Sequence, residues 1–309
     1  MLSPEWLIER GIGETRYALI DNNELVEART LLDGVVPAGA FLDARLKSTG
    51  RNAIAVAAGV EYLLPKGSQR ATEGATVRIE VTREALGGLE SWKRPLARML
   101  DHEPGPDPVP NGRTVDQFPE AAWEDLQEEA RSGLVAFVGG ELRIAVTPAM
   151  TVIDIDGYLP VADLSLAGAV ALVRAIRRHG ISGSIGSDFP SGAEKAARLA
   201  AASAIDNGLP NLFERTAING FGFMQIVRPR RHASTFEIAL DRAAFEARAL
   251  LRRTGSQIGA IRLAAHPAVI AALEGNPDWL AQLSRQTGGQ VTLRGDPSLA
   301  MSGGHAEPA

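Results

Sequence analysis

Apolar and acidic positions alternate across residues 151–157 (TVIDIDG): Val152, Asp154 and Asp156 share one parity, Ile153 and Ile155 the other, and Gly157 ends the run. A period of two predicts a strand with both aspartates on one face. Residues 164–178 (LSLAGAVALVRAIRR) carry apolar side chains three and four apart and finish in arginines, the pattern of an amphipathic helix whose cationic end complements its dipole. Gly180 is its stop. Residues 184–189 form a second short strand, closed by Pro190. Strand, helix and strand at this spacing predict a right-handed crossover with the two strands parallel and adjacent. Asp154 and Asp188 then meet at the strand C-termini, where open α/β sheets put their ligand crevice. Paired carboxylates repel unless a cation lies between them, and Mg²⁺, an oxygen-seeking ion that keeps several waters, suits such a site.

The same patterns extend on both sides. Residues 5–32 read as two or three strands (WLIER, RYALID, LVEARTLL), the last two joined by a turn at Asn22-Asn23. Short strands then crowd residues 39–82 (AFLDARL, NAIAVAAG, EYLLP, TVRIEVT), as in a small barrel or meander, an oligonucleotide-binding barrel being one candidate. Residues 102–112 (HEPGPDPVPNG) lack any apolar period and read as a linker. Pro119 opens a helix (EAAWEDLQEEARS), and a hairpin about Gly139-Gly140 feeds the Asp154 strand. Further on come a helix over 191–204, strands at ERTAI and FGFMQIV, a helix over 236–253, and a small α/β unit made of IGAIRLAAH, a helix over 267–285 and QVTLRG. The tail from 301 to 309 reads as disordered.

Composition narrows the function. The chain of 309 residues has 45% hydrophobic and 22% charged residues, ordinary for a globular protein with two or three domains. Its formal charge of −5 gives no bulk attraction for nucleic acid, so such a partner needs a local basic patch. Two are candidates: Lys47, Arg51, Lys66, Arg70, Lys93 and Arg94 in the strand-rich region, and Arg228, Arg230, Arg231 and His232 in RPRRH, which would suit phosphate contacts. Either also reads as a solvated surface. The chain has no cysteine, which excludes disulfides, thiolate zinc sites and cysteine nucleophiles. No serine sits in a nucleophile elbow and no histidine pair has metal spacing. The run from His179 to Gly186 has a glycine every third residue but precedes a strand, so it lacks the context of a dinucleotide fingerprint. With no uncharged membrane-length run and no basic-then-apolar start, the expected location is cytoplasmic, away from membranes.

The chain resembles the ribonuclease E/G family. The resemblance runs through LIERGIGETRYALIDNNELVEART, GAFLDARL to EYLLPKG, LRIAVTPAMTVIDIDG, SIGSDF, NGFGFMQIVRPRR and VTLRGDPSLA, in the family's order and over most of the chain. It implies an α/β (α+β) architecture with a ribonuclease-H-like catalytic sheet: a split ribonuclease-H-like domain (N-terminal strands in 1–33, catalytic part in 119–234), an inserted OB-type barrel (34–97), a linker (98–118), a small C-terminal α/β domain (235–300) and the tail. It also implies a Mg²⁺-dependent endoribonuclease, with Mn²⁺ an alternative ion, that cuts single-stranded RNA to leave 5′-phosphate and 3′-hydroxyl ends. The family's metal aspartates fall on Asp154 and Asp188. Asp156 stands where the family usually has Asn and would orient the attacking water. Lys93 matches an RNA-contact position, and Arg228, Arg230 and Arg231 would meet phosphates. Three departures stand out. The Cys-x-x-Cys zinc link is absent, so no zinc is expected and a homodimer would form through the C-terminal domain without it. The pocket for an RNA 5′-monophosphate has no counterpart. Ile54 and Leu63 replace base-stacking aromatics. The rival readings are a non-catalytic RNA-binding protein on this scaffold and, less well matched, an actin-like ATPase or sugar kinase, for which the phosphate and adenosine loops are missing.

Overall fold

The computed structural model describes residues 3–87, 92–100, 109–210 and 212–308. Among them the strands sort into a four-stranded sheet, a closed five-stranded barrel, a six-stranded sheet and a three-stranded sheet. The mixed α+β class and the barrel agree with the sequence reading.

Strands β1 (Glu5–Arg10), β2 (Glu14–Asp21) and β3 (Glu24–Leu32) form an antiparallel meander. Asn22 and Asn23 both have positive φ, as a tight two-residue hairpin turn of the kind read from sequence requires. These strands make a sheet of their own, apart from the six-stranded one. The outer edge of β1 is taken by a strand that follows the barrel, so the meander completes itself and contributes no strand to the other sheet.

The barrel runs β4 (Phe41–Ser48), β5 (Ala53–Ala57), β6 (Val60–Leu64), β8 (Leu96–Met99) and β7 (Thr76–Arg83) around its circumference. Ala44, Ala53, Ala55 and Ala57 face Tyr62, Ile79 and Val81 inside it, small side chains opposite large ones as a narrow barrel needs. The last strand carries the unit past residue 97, the boundary expected for it. Glu84 fixes the barrel to its neighbours: its carboxylate meets Arg29 at 2.5 Å and its amide donates to the Arg231 carbonyl at 2.8 Å.

Residues 101–108 of the expected linker (98–118) lie outside the described residues, but Arg113–Val115 is strand β9, paired parallel to β1. Three residues are too few to show a period; the open edge of β1 makes them a strand.

Helix α1 (Glu120–Ser132) leads into the six-stranded sheet, whose order is β10 (Leu134–Phe137), β11 (Gly140–Val146), β12 (Thr151–Gly157), β13 (Gly183–Asp188), β15 (Phe223–Arg228) and β14 (Glu214–Arg215). The crossover helix α2 (Val161–Arg178) makes β12 and β13 parallel neighbours, as predicted, and α3 (Lys195–Gly208) packs beside it. Ile153, Ile155, Ile185, Met224 and Ile226 point into the core with Leu172 and Ile176 of α2. The sheet therefore buries one face, and the opposite parity, which includes Asp154 and Asp188, lies outside that core.

The helix expected over 236–253 is two helices, α4 (Thr235–Ala239) and α5 (Arg242–Thr254). Ser234 and Glu237 form a reciprocal cap on the first, and the Asp241 carboxylate accepts from the Ala244 amide to start the second, so a cap inside the periodic run divides it. The next expected helix likewise divides, into α6 (Pro267–Glu274) and α7 (Pro277–Thr287), each opened by proline; the His266 ring accepts from the Ala268 amide to cap the first. In the last sheet β16 (Gly259–Ala265) lies between β17 (Gly288–Gly295), parallel, and β18 (His305–Pro308), antiparallel. The tail was expected to be disordered, yet residues 305–308 are this third strand. Its Glu307 accepts from Arg294 at 2.7 Å, so a distant edge orders a segment whose own residues carry no strand signal. No helix among the described residues is long and apolar enough to cross a membrane.

Candidate active site

Register builds the site. The turn Thr147–Met150, closed by Thr147 N–H to the Met150 carbonyl at 3.0 Å, fixes Arg143 opposite Asp154 and Glu141 opposite Asp156. In the parallel pair Asp154 is the direct partner of Asp188, which in turn faces Phe223 on β15. A row Arg143, Asp154, Asp188, Phe223 thus crosses four strands. Direct partners on adjacent strands have Cα atoms about 5 Å apart with side chains on the same face. The two aspartates can therefore share one ion.

Electrostatics agree with the geometry. Partial burial raises the pKa of the Asp154 carboxyl above the ordinary aspartate range, the charges of Asp156 and Asp188 push it further the same way, and Arg143 and the Ile155 amide offset part of that. Arg143 is held between acids, 2.8 Å from Glu141 and 3.8 Å from Asp156. Asp156 stands at the exposed end of β12, one step along the strand from the pair. No group of three or more His, Cys, Asp or Glu able to hold a metal occurs among the described residues. The donor set is two carboxylates, which fits Mg²⁺, an ion held by one or two protein carboxylates and completed by water and substrate phosphate.

Next to Asp188 lies a loop, NGFGF, that sequence reasoning did not single out as functional. The Asn219 side chain accepts from the Phe221 amide at 2.9 Å and the Phe223 amide at 3.1 Å. Gly222, at φ +95°, comes so near Phe189 that a Cβ there would lie 2.2 Å from its carbonyl oxygen. At Gly186 an added Cβ would lie 2.9 Å from Met150 Sδ and 3.0 Å from the Phe223 ring, which reaches across β13 beside Asp188. Phe221 is 85% exposed and Phe223 36%. The signal for these residues was present in the alternation of FGFMQIV, and for Arg143 in the four-residue turn that sets its register.

The basic stretch RPRRH is elsewhere. Arg228 pairs with Gly183 at the far end of β13, five residues from Phe223, or about 17 Å along the strand. An odd offset also puts Arg228 on the buried parity. It donates to the Ile181 carbonyl at 2.7 Å, and Arg230 is engaged by Glu237. Arg228, Arg231 and His232 line a cavity of about 300 Å³ together with Arg29 and Arg177, which sequence reasoning did not associate with them. Burial and the Arg29 charge lower the pKa of His232 below the ordinary histidine value, with Glu84 and Glu237 opposing them. Lys93 lies on the barrel, its ammonium 5.4 Å from the ring of exposed Trp92. Ile54 and Leu63 are direct cross-strand partners on the barrel's outer surface.

No protein-family model matches the chain, and a search of curated proteins finds no match.

Proposed function

We propose that this chain is a short member of the ribonuclease E/G family, an endoribonuclease that uses Mg²⁺, or Mn²⁺ in its stead, to cut single-stranded RNA. The observation that carries this reading is the direct pairing of Asp154 with Asp188 in adjacent parallel strands, outside the sheet's core. In it the six-stranded sheet is the ribonuclease-H-like catalytic unit and the barrel is an OB-type RNA-binding module.

Asp154 and Asp188 hold the ion. When bound, Mg²⁺ supplies Lewis acidity and charge neutralisation at the phosphoryl group. Asp156 orients water for in-line attack, and Arg143, opposite Asp154, offers a cation to a non-bridging oxygen. The water oxygen bonds to phosphorus as the P–O3′ bond breaks and the 3′ oxygen takes a proton, leaving a 5′-phosphate and a 3′-hydroxyl. Lys93 and the arginine-lined cavity bearing Arg228 and Arg231 are sites for more distant phosphates, while Arg230 acts through its ion pair with Glu237.

A fluorescent single-stranded oligonucleotide tests the reading. Cleavage with Mg²⁺ and none with EDTA is expected; equal cleavage in both, or none in either, overturns it. The second reading, RNA binding without catalysis, draws on the paired aliphatics Ile54 and Leu63 and on the two-carboxylate donor set; it predicts oligonucleotide binding with no cleavage.

The raised Asp154 pKa sets a pH dependence. Mg²⁺ takes the ionised pair, so affinity falls as pH drops through a value above that of an ordinary aspartate. Asp156→Asn removes one of the charges that raise it and moves the acid limb of Mg²⁺ binding to lower pH. Calorimetric titration of Mg²⁺ at a series of pH values measures both limbs; coincident limbs would contradict the electrostatic account.

A further inference from the structure

Phe221 is an aromatic ring with almost its whole surface in water, on a loop that everything around it holds still. Exposed apolar residues occur singly on many surfaces. This one is distinguished by its setting. Its own amide and that of Phe223 donate to the Asn219 side chain, Gly222 is pressed against the Phe189 carbonyl, and the next aromatic, Phe223, lies across Gly186 beside Asp188. Tyr158, 84% exposed and two residues beyond Asp156, stands at the end of the neighbouring strand. An ion at the Asp154–Asp188 pair therefore has aromatic surface beside it on the β15 side, where Phe223 is the direct partner of Asp188.

Resting on the nuclease reading above, we propose that Phe221 and Phe223 form a stacking platform for the nucleobase of a nucleotide adjoining the scissile phosphate, so that cleavage requires an unpaired base at that position. A phosphate seated over the pair carries its own nucleotides outward, and a base leaving on the β15 side meets these rings. Stacking suits the chemistry because every base offers a π face and sequence need not be read. It also supplies single-strand selectivity: a base inside a duplex has both faces covered and cannot reach the rings. The barrel, with Ile54 and Leu63 paired on its surface, has aliphatic rather than aromatic groups at that place, and its exposed Trp92 stands beside Lys93.

The test is an abasic scan of a single-stranded oligonucleotide having one cleavage site, with wild type, Phe221→Ala and Phe221→Trp. For wild type, one abasic position next to the cut should lower kcat/KM by about 5- to 150-fold. In Phe221→Ala the intact substrate should be cut more slowly by a similar factor, and the same abasic position should cost nothing further; Phe221→Trp should restore the dependence. If wild type cleaves with no position-specific dependence, or if Phe221→Ala keeps it in full, the platform is wrong while the nuclease reading stands. If wild type cleaves nothing, the nuclease reading fails, and 2-aminopurine at each position, titrated without metal, decides the platform: quenching at one position that is lost in Phe221→Ala supports it, and its absence overturns it. A change in sedimentation of Phe221→Ala without RNA would assign the ring to a protein contact and also overturn it.

Discussion

Asp154→Asn and Asp188→Asn should each reduce Mg²⁺-dependent cleavage by on the order of 10³-fold or more, about 4 kcal/mol of transition-state stabilisation, without loss of fold. Each change removes one of two carboxylates able to hold the ion. Neither removes packing, because the residues that fill the core are their neighbours of opposite parity, Ile153, Ile155 and Ile185. The sign of the stability effect follows from charge. Asp154 has a folded-state pKa above its unfolded one, so the folded state binds a proton more readily and the metal-free protein loses stability as pH rises through that value. Either asparagine relieves the repulsion. At neutral pH without metal, both variants should therefore melt at or slightly above the wild-type temperature. Cleavage of the fluorescent oligonucleotide read beside thermal unfolding checks the pair of claims. A variant that cuts at the wild-type rate refutes the site assignment, and one that unfolds well below wild type refutes the account of its surroundings.

Glu14→Ala should destabilise the fold strongly, by roughly 3–5 kcal/mol. Glu14 lies in a buried ionic cluster that joins the N-terminal sheet to α5: Arg16 Nε donates to it at 2.6 Å and Arg248 Nε at 2.8 Å, while Glu9 accepts from Arg16 at 2.5 Å and from Arg252 at 2.8 Å. All five side chains are at most 7% exposed. Three arginines already outnumber two glutamates there, and removing Glu14 leaves two guanidinium groups short of a counter-charge. Glu14→Gln keeps an acceptor and should cost less. Burial alone would raise the Glu14 pKa, but Arg16 and Arg248 together hold it below the usual glutamate value. The stability it contributes is therefore fully present above the unfolded pKa and is lost as pH falls through the folded one. Urea unfolding of wild type and both variants at neutral and acid pH measures this. The gap between wild type and Glu14→Ala should narrow in acid, and an alanine variant within about 1 kcal/mol of wild type at neutral pH would refute the role given to the cluster.

The parts of this fold that could be read in advance are those whose signal is local and periodic. The alternation around Asp154, the amphipathic stretch after it and the Asn22-Asn23 turn each impose one conformation on a few consecutive residues, and the crossover rule then brings Asp154 beside Asp188. Strands β9 and β18 escaped because a sheet edge far along the chain makes them strands. The long helices were misjudged where Asp241 and Pro277 start a new helix inside an unbroken apolar period. For RPRRH, residue type suggested phosphate contacts but strand parity was not counted. Five residues from Phe223 to Arg228 reverse the face as well as cross the sheet, which separates the arginines from the acids.

Because the core and its helices lie on only one side of the six-stranded sheet, dissolved ions have a path to the carboxylates on the other. At physiological ionic strength the influence of exposed charges fades over about 8 Å, so these acids repel a polyanion only at short range, and its attraction comes from the arginine-lined cavity and the barrel. In the nuclease reading turnover should fall as potassium chloride is raised, and more steeply for a long strand that touches the cavity and the barrel as well as the acids than for a short one.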